Sequence, residues 1–289
     1  MADAAESLQT LYDAFGRVAA AAALARAGDA ACAAGSVDAA AITPVQEMFS
    51  MSLREVAWCA GCEMESHGIS YETNFLSASR AAHHPSPPSS CFISHLTPSP
   101  RHLPPPVVPA ASLREATARD SEPPLTLESR LARVTASEPK SCDRDKGGCG
   151  RLVHPAATLV RRPAVFTLSL VWAASQASEE DVGATMGALA TTLVPAAAFP
   201  QHARSASASA QRAEAERWQP RHALKALVCY YGSHYLCFAL VPPDGAQPGG
   251  WTRFDDGAVT RVGGWEGVCL ACARGHLQPT VLFYEAPRA

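Results

Sequence analysis

The chain has 289 residues, is 47% hydrophobic and carries a formal charge of −3. It therefore has room for one large or two modest domains with a buried core. No basic stripe points to nucleic acid, no acidic tail points to a solvating role, and no apolar run approaches the ~20 residues of a membrane span. Asp3 and Glu6 precede the first alanines with no basic region before them. That argues against a secretory signal or an acid-poor transit peptide and leaves the cytoplasm or nucleus as the expected compartment. In that setting the ten cysteines read as thiols or metal ligands rather than a disulfide framework. Cys32, Cys229, Cys237, Cys269 and Cys272 read as small buried hydrophobes.

Residues 1–44 form an alanine-rich segment in which Leu8, Leu11, Tyr12, Phe15 and Val18 recur at helical spacing, with Gly35 as a stop. Residues 45–76 are mixed and apolar and contain two close cysteines. Residues 77–137 are rich in Pro, Ser and His, a composition that buries too little apolar surface to offset ordering entropy. They read as a largely disordered insertion with a short helix near 125–134. Globular signals resume at 138–160. Residues 161–289 form the clearest unit. Within it, Val165–Trp172 is apolar on both faces and reads as a buried strand. Ser178 caps a helix with Glu179, Glu180 and Asp181 in its first turn, expected to run to about Leu193. Residues 200–222 read as a polar surface loop. Strands are expected at 224–231, 234–241, 251–254 and 258–262, a helix at 265–274 and a closing strand at 280–285. An antiparallel meander with one late helix makes an α+β domain.

His234 opens one of these apolar strands, and the midpoint between it and Asp255 falls in the 241–250 connection. A hairpin then sets the imidazole roughly opposite the carboxylate. Such a carboxylate fixes the ring's tautomer and supports the imidazolium, leaving the second nitrogen for a nucleophile. By spacing alone, a structural histidine and an Asp-Asp turn before Gly257 are the simpler explanation of the pattern.

Gly232-Ser233-His234-Tyr235, followed by Trp251-Thr252-Arg253-Phe254-Asp255-Asp256 and Val259, and closing on Val281-Leu282-Phe283-Tyr284-Glu285, resembles the C-terminal half of the ubiquitin-specific protease (ubiquitin carboxyl-terminal hydrolase) domain. The resemblance runs over residues 163–289 and is similar to a plant and algal branch of that family. It implies part of a papain-like cysteine peptidase fold, an antiparallel palm with a zinc-ribbon-like fingers region. His234 then matches the general base, Asp255 the orienting carboxylate and Asp256 a second acid beside it. Tyr235 matches the aromatic after the histidine, on the substrate side. The implied ligand is the C-terminal tail of ubiquitin, and the implied activity is thiol-dependent cleavage after its terminal glycine.

The family's nucleophile sits in a Gly-Asn-Thr-Cys-Tyr type of motif at the head of a helix, where the thiol is exposed and its pKa lowered. This chain has none, and Cys32 lies among alanines. Two explanations stay open: a truncated product of a longer enzyme, or a pseudoenzyme that keeps the fold as a ubiquitin-binding scaffold. On either, this chain alone is expected to be inactive.

Cys59-Ala60-Gly61-Cys62 has a standard metal-ligand spacing, whereas Cys142 and Cys149 are more widely spaced. Gly148 and Gly150 supply the freedom of a knuckle turn. His67 or His154 could replace one ligand, and four unligated thiols explain the bare pattern as well. The family's fingers often carry a four-cysteine zinc ribbon, with Val45–Phe49 leading into it here. The resemblance thus implies one structural zinc on Cys59, Cys62, Cys142 and Cys149, and a fingertip insertion (or a retained intron) between the pairs.

Overall fold

The computed structural model describes residues 44–65, 69–74, 76–77, 108–115, 125–136, 139–199, 220–245 and 248–288, with the single positions 10 and 14. The expected N-terminal helix, Cys32, His67, most of the expected insertion and residues 200–219 lie outside this set.

Helix α1 (Pro44–Phe49) leads into β1 (Met51–Cys59), β2 (Met64–Glu65), β3 (Ile69–Thr73) and β4 (Leu76–Ser77). There follow β5 (Val108–Pro109), α2 (Ala110–Glu115), α3 (Leu127–Val134), β6 (Lys140–Ser141), β7 (Leu152–Val153), β8 (Pro155–Arg161) and β9 (Val165–Val171). The chain continues through α4 (Glu179–Ala188), β10 (Thr192–Leu193), β11 (His222–Tyr231), β12 (His234–Val241), β13 (Gly250–Asp255) and β14 (Ala258–Gly263). It ends with α5 (Trp265–Arg274) and β15 (Gln278–Glu285). No described helix is long and apolar enough to cross a membrane.

These elements make two main sheets. In the smaller, β1 pairs antiparallel with β2, β3 and β8. In the larger, the order is β14-β13-β12-β11-β15-β9-β4, with β10 on β11 and β5 on β9. Its strands are antiparallel except where the short β4 and β5 join β9 in parallel. β9 has no exposed face: Phe166, Leu168 and Leu170 are buried on one side, Thr167 and Ser169 on the other. That explains its near-continuous apolar sequence. Met51 and Leu53 of β1 belong to the same core cluster as β9, β11 and β15, so the two sheets share one hydrophobic interior.

One sequence expectation needs correction. The helix that Ser178 caps, by accepting from the Asp181 N–H at 3.0 Å, stops at Ala188 rather than near Leu193. Thr192 and Leu193 instead pair with Ala223 and His222 of β11, and Leu193 is fully buried. Tertiary pairing overrides local helix preference here. Of 77–137, expected to be largely disordered with one short helix, residues 77, 108–115 and 125–136 are described. Among these, Val108, Leu113, Leu127 and Leu131 are core residues. Arg130, itself buried, ties the two helices together: its Nε donates to Leu125 O at 3.1 Å and its Nη1 to Leu113 O of α2. The expected short helix is α3, capped by Thr126, which accepts from the Ser129 N–H at 3.2 Å. The described residues 108–115 and 125–136 dock through short apolar stripes.

Candidate functional site

β11 turns into β12 through Gly232 and Ser233, with Tyr231 paired to His234. Gly232 adopts φ +62°, which glycine reaches at no steric cost. Ser233 follows at φ 144°, a region that L side chains rarely occupy. This turn presents His234 at the first position of β12, its side chain 41% exposed.

β12 and β13 pair with Val241 against Gly250 and Cys237 against Phe254. Continued by one step, that register sets Asp255 level with Leu236, so Asp255 is diagonal to His234 rather than directly opposite. Both side chains lie on one face, because the pleat alternates every residue, and a diagonal cross-strand pair is within reach of long side chains. His234 Nε2 donates to Asp255 Oδ1 at 2.5 Å. The bond to Asp255 raises the imidazole pKa above 6.5; burial opposes it, the charge of Asp256 adds to it, and Arg253 opposes it weakly. The Asp255 carboxyl is held below its usual range, first by His234 and then by Arg253. Among the described residues nothing bonds His234 Nδ1, so a deprotonated Nδ1 can accept a proton from an incoming group.

Asp256 occupies the turn between β13 and β14 at φ 49°, where an Asp-Gly pair suits a two-residue hairpin. Its carboxylate lies within 4.8 Å of the His234 and Asp255 donor atoms. Tyr235 is placed differently. It lies on the opposite face of β12, with its ring centroid 5.1 Å from that of Tyr230, so the structure does not bring it to the His234–Asp255 pair.

Sequence reasoning missed one residue of this group. Arg253, two positions before Asp255 on the same strand face, donates from Nη2 to Asp255 Oδ2. The alternation of a β-strand was the available signal, since i and i+2 share a face.

The second cluster lies at the far end of β1. Cys59 ends that strand, and Cys62 follows on the turn to β2. Cys142 and Cys149 flank a loop whose Cys142 N–H donates to Arg151 O at 2.8 Å, while Gly150 N–H donates to Cys142 O at 3.0 Å. Gly150 sits at φ +79°, and a Cβ on Gly148 would fall 2.5 Å from both Cys142 Sγ and Asp143 O. The loop therefore needs both glycines to fold around the sulfurs. Cys59 Sγ is 3.4 Å from Cys149 Sγ, and Cys62 Sγ is 3.6 Å from Cys142 Sγ. All four lie within 4.8 Å of one another. These separations are too long for disulfides and close to the ~3.8 Å edge of a tetrahedron with ~2.3 Å metal–sulfur bonds. The Cys59 thiol is pulled down to about 6, chiefly by the Gly61 backbone and then by Cys149. The four residues are able to hold a metal ion. His154 is not part of the cluster. A cleft of about 240 Å³ beside the cysteines is walled by Ala57, Met64, Ile69, Val153 and Pro155.

The other described cysteines have other surroundings. Cys229 and Cys272 are fully buried with sulfurs 3.9 Å apart. Burial pushes the Cys229, Cys237 and Cys269 thiols up, Cys269 to about 11. Such groups are poor nucleophiles.

No family model matches the chain. Among curated proteins, it is 28% identical over 167 residues to ubiquitin carboxyl-terminal hydrolase 53 of Homo sapiens, an alignment covering 57% of this chain and 14% of that protein. It is 30% identical over 142 residues to ubiquitin carboxyl-terminal hydrolase 54 of Rattus norvegicus, covering 48% of this chain and 8% of that one. The chain thus aligns with a small part of these longer relatives. Among solved structures, a SAGA DUB module of Ubp8, Sgf11, Sus1 and Sgf73 superposes with a TM-score of 0.54 at 15% identity, covering all of this chain and 51% of that one. At that identity the likeness speaks for the fold. Together with the palm-like meander and the cysteine-bearing sheet, these similarities show that the chain carries a ubiquitin-specific protease-like domain, with the α+β papain-like architecture in partial form.

Proposed function

We propose that this chain contributes the base-and-orienter half of a cysteine-type deubiquitinating site, with the ubiquitin C-terminal tail as its ligand. The observation that carries this reading is the His234–Asp255 bond at 2.5 Å, which leaves Nδ1 available. In this reading His234 takes the proton of a thiol and returns it to the leaving amine, while Asp255 holds the ring and balances the imidazolium. Asp256 adds negative charge beside them. The scissile bond is the peptide or isopeptide bond after the terminal glycine of ubiquitin.

The thiol is not among the described cysteines in this reading. Four face one another around the candidate metal centre, Cys229, Cys269 and Cys272 lie in or against the core, and partial burial pushes the Cys237 thiol up. That observation favours a second reading, in which the chain is a ubiquitin-binding scaffold without hydrolytic activity. Both readings place one structural zinc on Cys59, Cys62, Cys142 and Cys149, supported by the all-sulfur donor set and its separations. The zinc would clamp the ends of β1 and the Cys142–Cys149 loop.

Incubating the purified 289-residue protein with a thiol-reactive ubiquitin probe tests the assignment of the thiol. No covalent adduct is expected. An adduct whose formation is abolished by His234→Ala would place the nucleophile within this chain and overturn that part of the proposal.

A further inference from the structure

Asp255 uses its two oxygens for two different partners. Oδ1 accepts from His234 Nε2, and Oδ2 accepts from Arg253 Nη2. Both partners reach it along one strand face, Arg253 from β13 itself and His234 from β12. The carboxylate is a quarter exposed, so without the second bond it could rotate toward water. Arg253 is well suited to stop this. Its guanidinium is rigid and planar, and it emerges from the strand next to the pairing partner Phe238, a fully buried residue. Its Nε is buried with no hydrogen-bond partner among the described residues. This costly arrangement has no evident structural return apart from its Nη2 bond to Asp255.

We infer that Arg253 is a positioning residue for the proposed site: it pins Asp255 Oδ2 so that Oδ1 stays aimed at His234. The inference rests on the roles proposed for His234 and Asp255, but its test requires no reaction. The charged groups acting on the imidazole are Asp255, Asp256 and Arg253, and Tyr231 faces it across the turn from β11. Arg253 can affect His234 in two opposite ways. As a mere neighbouring cation it lowers the imidazole pKa, so removing it would raise that pKa. As the pin of Asp255 it sustains the bond that raises the pKa, so removing it would lower the pKa.

The test is the pKa of His234, read from its imidazole NMR signals in the full 289-residue protein. Arg253→Gln and Arg253→Thr are two neutral replacements, the second β-branched and suited to a strand, so a folding failure of one leaves the other. The expected result is a fall of about half a unit or more in the folded variants, restored by Arg253→Lys. In the Asp255→Asn background the same replacement is expected to produce no fall. A rise, or no change, in the Arg253→Gln or Arg253→Thr protein would overturn the inference. Failure of the deubiquitinating reading would show separately, as absence of ubiquitin binding with the His234 titration unaffected.

Discussion

His234 and Asp255 meet on a diagonal across β12 and β13, with Nε2 and Oδ1 2.5 Å apart, and this contact is the largest influence on the charge state of both. The histidine is held toward imidazolium and the aspartate toward carboxylate. Asp255→Asn removes the main cause of the histidine's shift. The His234 pKa, followed by NMR titration, is expected to fall, because burial and Arg253 then oppose the remaining effect of Asp256.

The same pair sets a pH window for stability. The raised histidine contributes fully below its unfolded value of 6.5 and loses that contribution as pH rises through the folded pKa. The lowered aspartate contributes fully above its unfolded value of 3.8 and loses it as pH falls through the folded pKa. The contribution is therefore greatest between these two unfolded values. Chemical denaturation of wild type and His234→Ala across roughly pH 4–8 is expected to show the largest difference near about pH 5, shrinking toward about pH 8.

The cysteine cluster ties together segments 80 to 90 residues apart in sequence. A metal there constrains the fold as well as the site. Zinc analysis is expected to return about one atom per chain, falling well below that in Cys59→Ser and Cys142→Ser, with a lowered Tm in both. A strong chelator is expected to lower the wild-type Tm and leave that of the variants unchanged.

Leu131 tests whether α3 belongs to the core. It is fully buried and packs in the cluster that contains β9 and β15. Leu131→Ala is expected to destabilise the protein by about 2–5 kcal/mol in urea denaturation. A change below about 0.5 kcal/mol, typical of surface sites, would return this helix to the status of a loose insertion.

Much of the palm was legible in the sequence because its signals are local. Gly232-Ser233 and Asp256-Gly257 mark tight turns, and the apolar strands between them need no distant information to be placed. The register was less legible: counting to a midpoint puts Asp255 opposite His234, whereas the observed pairing of Val241 with Gly250 and Cys237 with Phe254 puts the two on a diagonal. The Cys59, Cys62, Cys142 and Cys149 cluster is suggested by its spacing, but only the fold shows that Gly148 must pack against Cys142 Sγ. The helix near 125–134 was legible, but the docking of α2 escapes a reading by composition, which averages over a segment, while docking depends on a few positions such as Leu113. Arg253 carries no signal of its own beyond the strand alternation that aligns it with Asp255.

Whether this domain binds ubiquitin is decided by titration of ¹⁵N-labelled ubiquitin with the 289-residue protein. Saturable shifts that include the C-terminal tail of ubiquitin are expected, weakened by Cys59→Ser, which loosens the metal-bearing sheet. Unchanged ubiquitin spectra at protein concentrations up to about 1 mM, where binding worth even ~4 kcal/mol would register, would contradict ubiquitin binding by this domain.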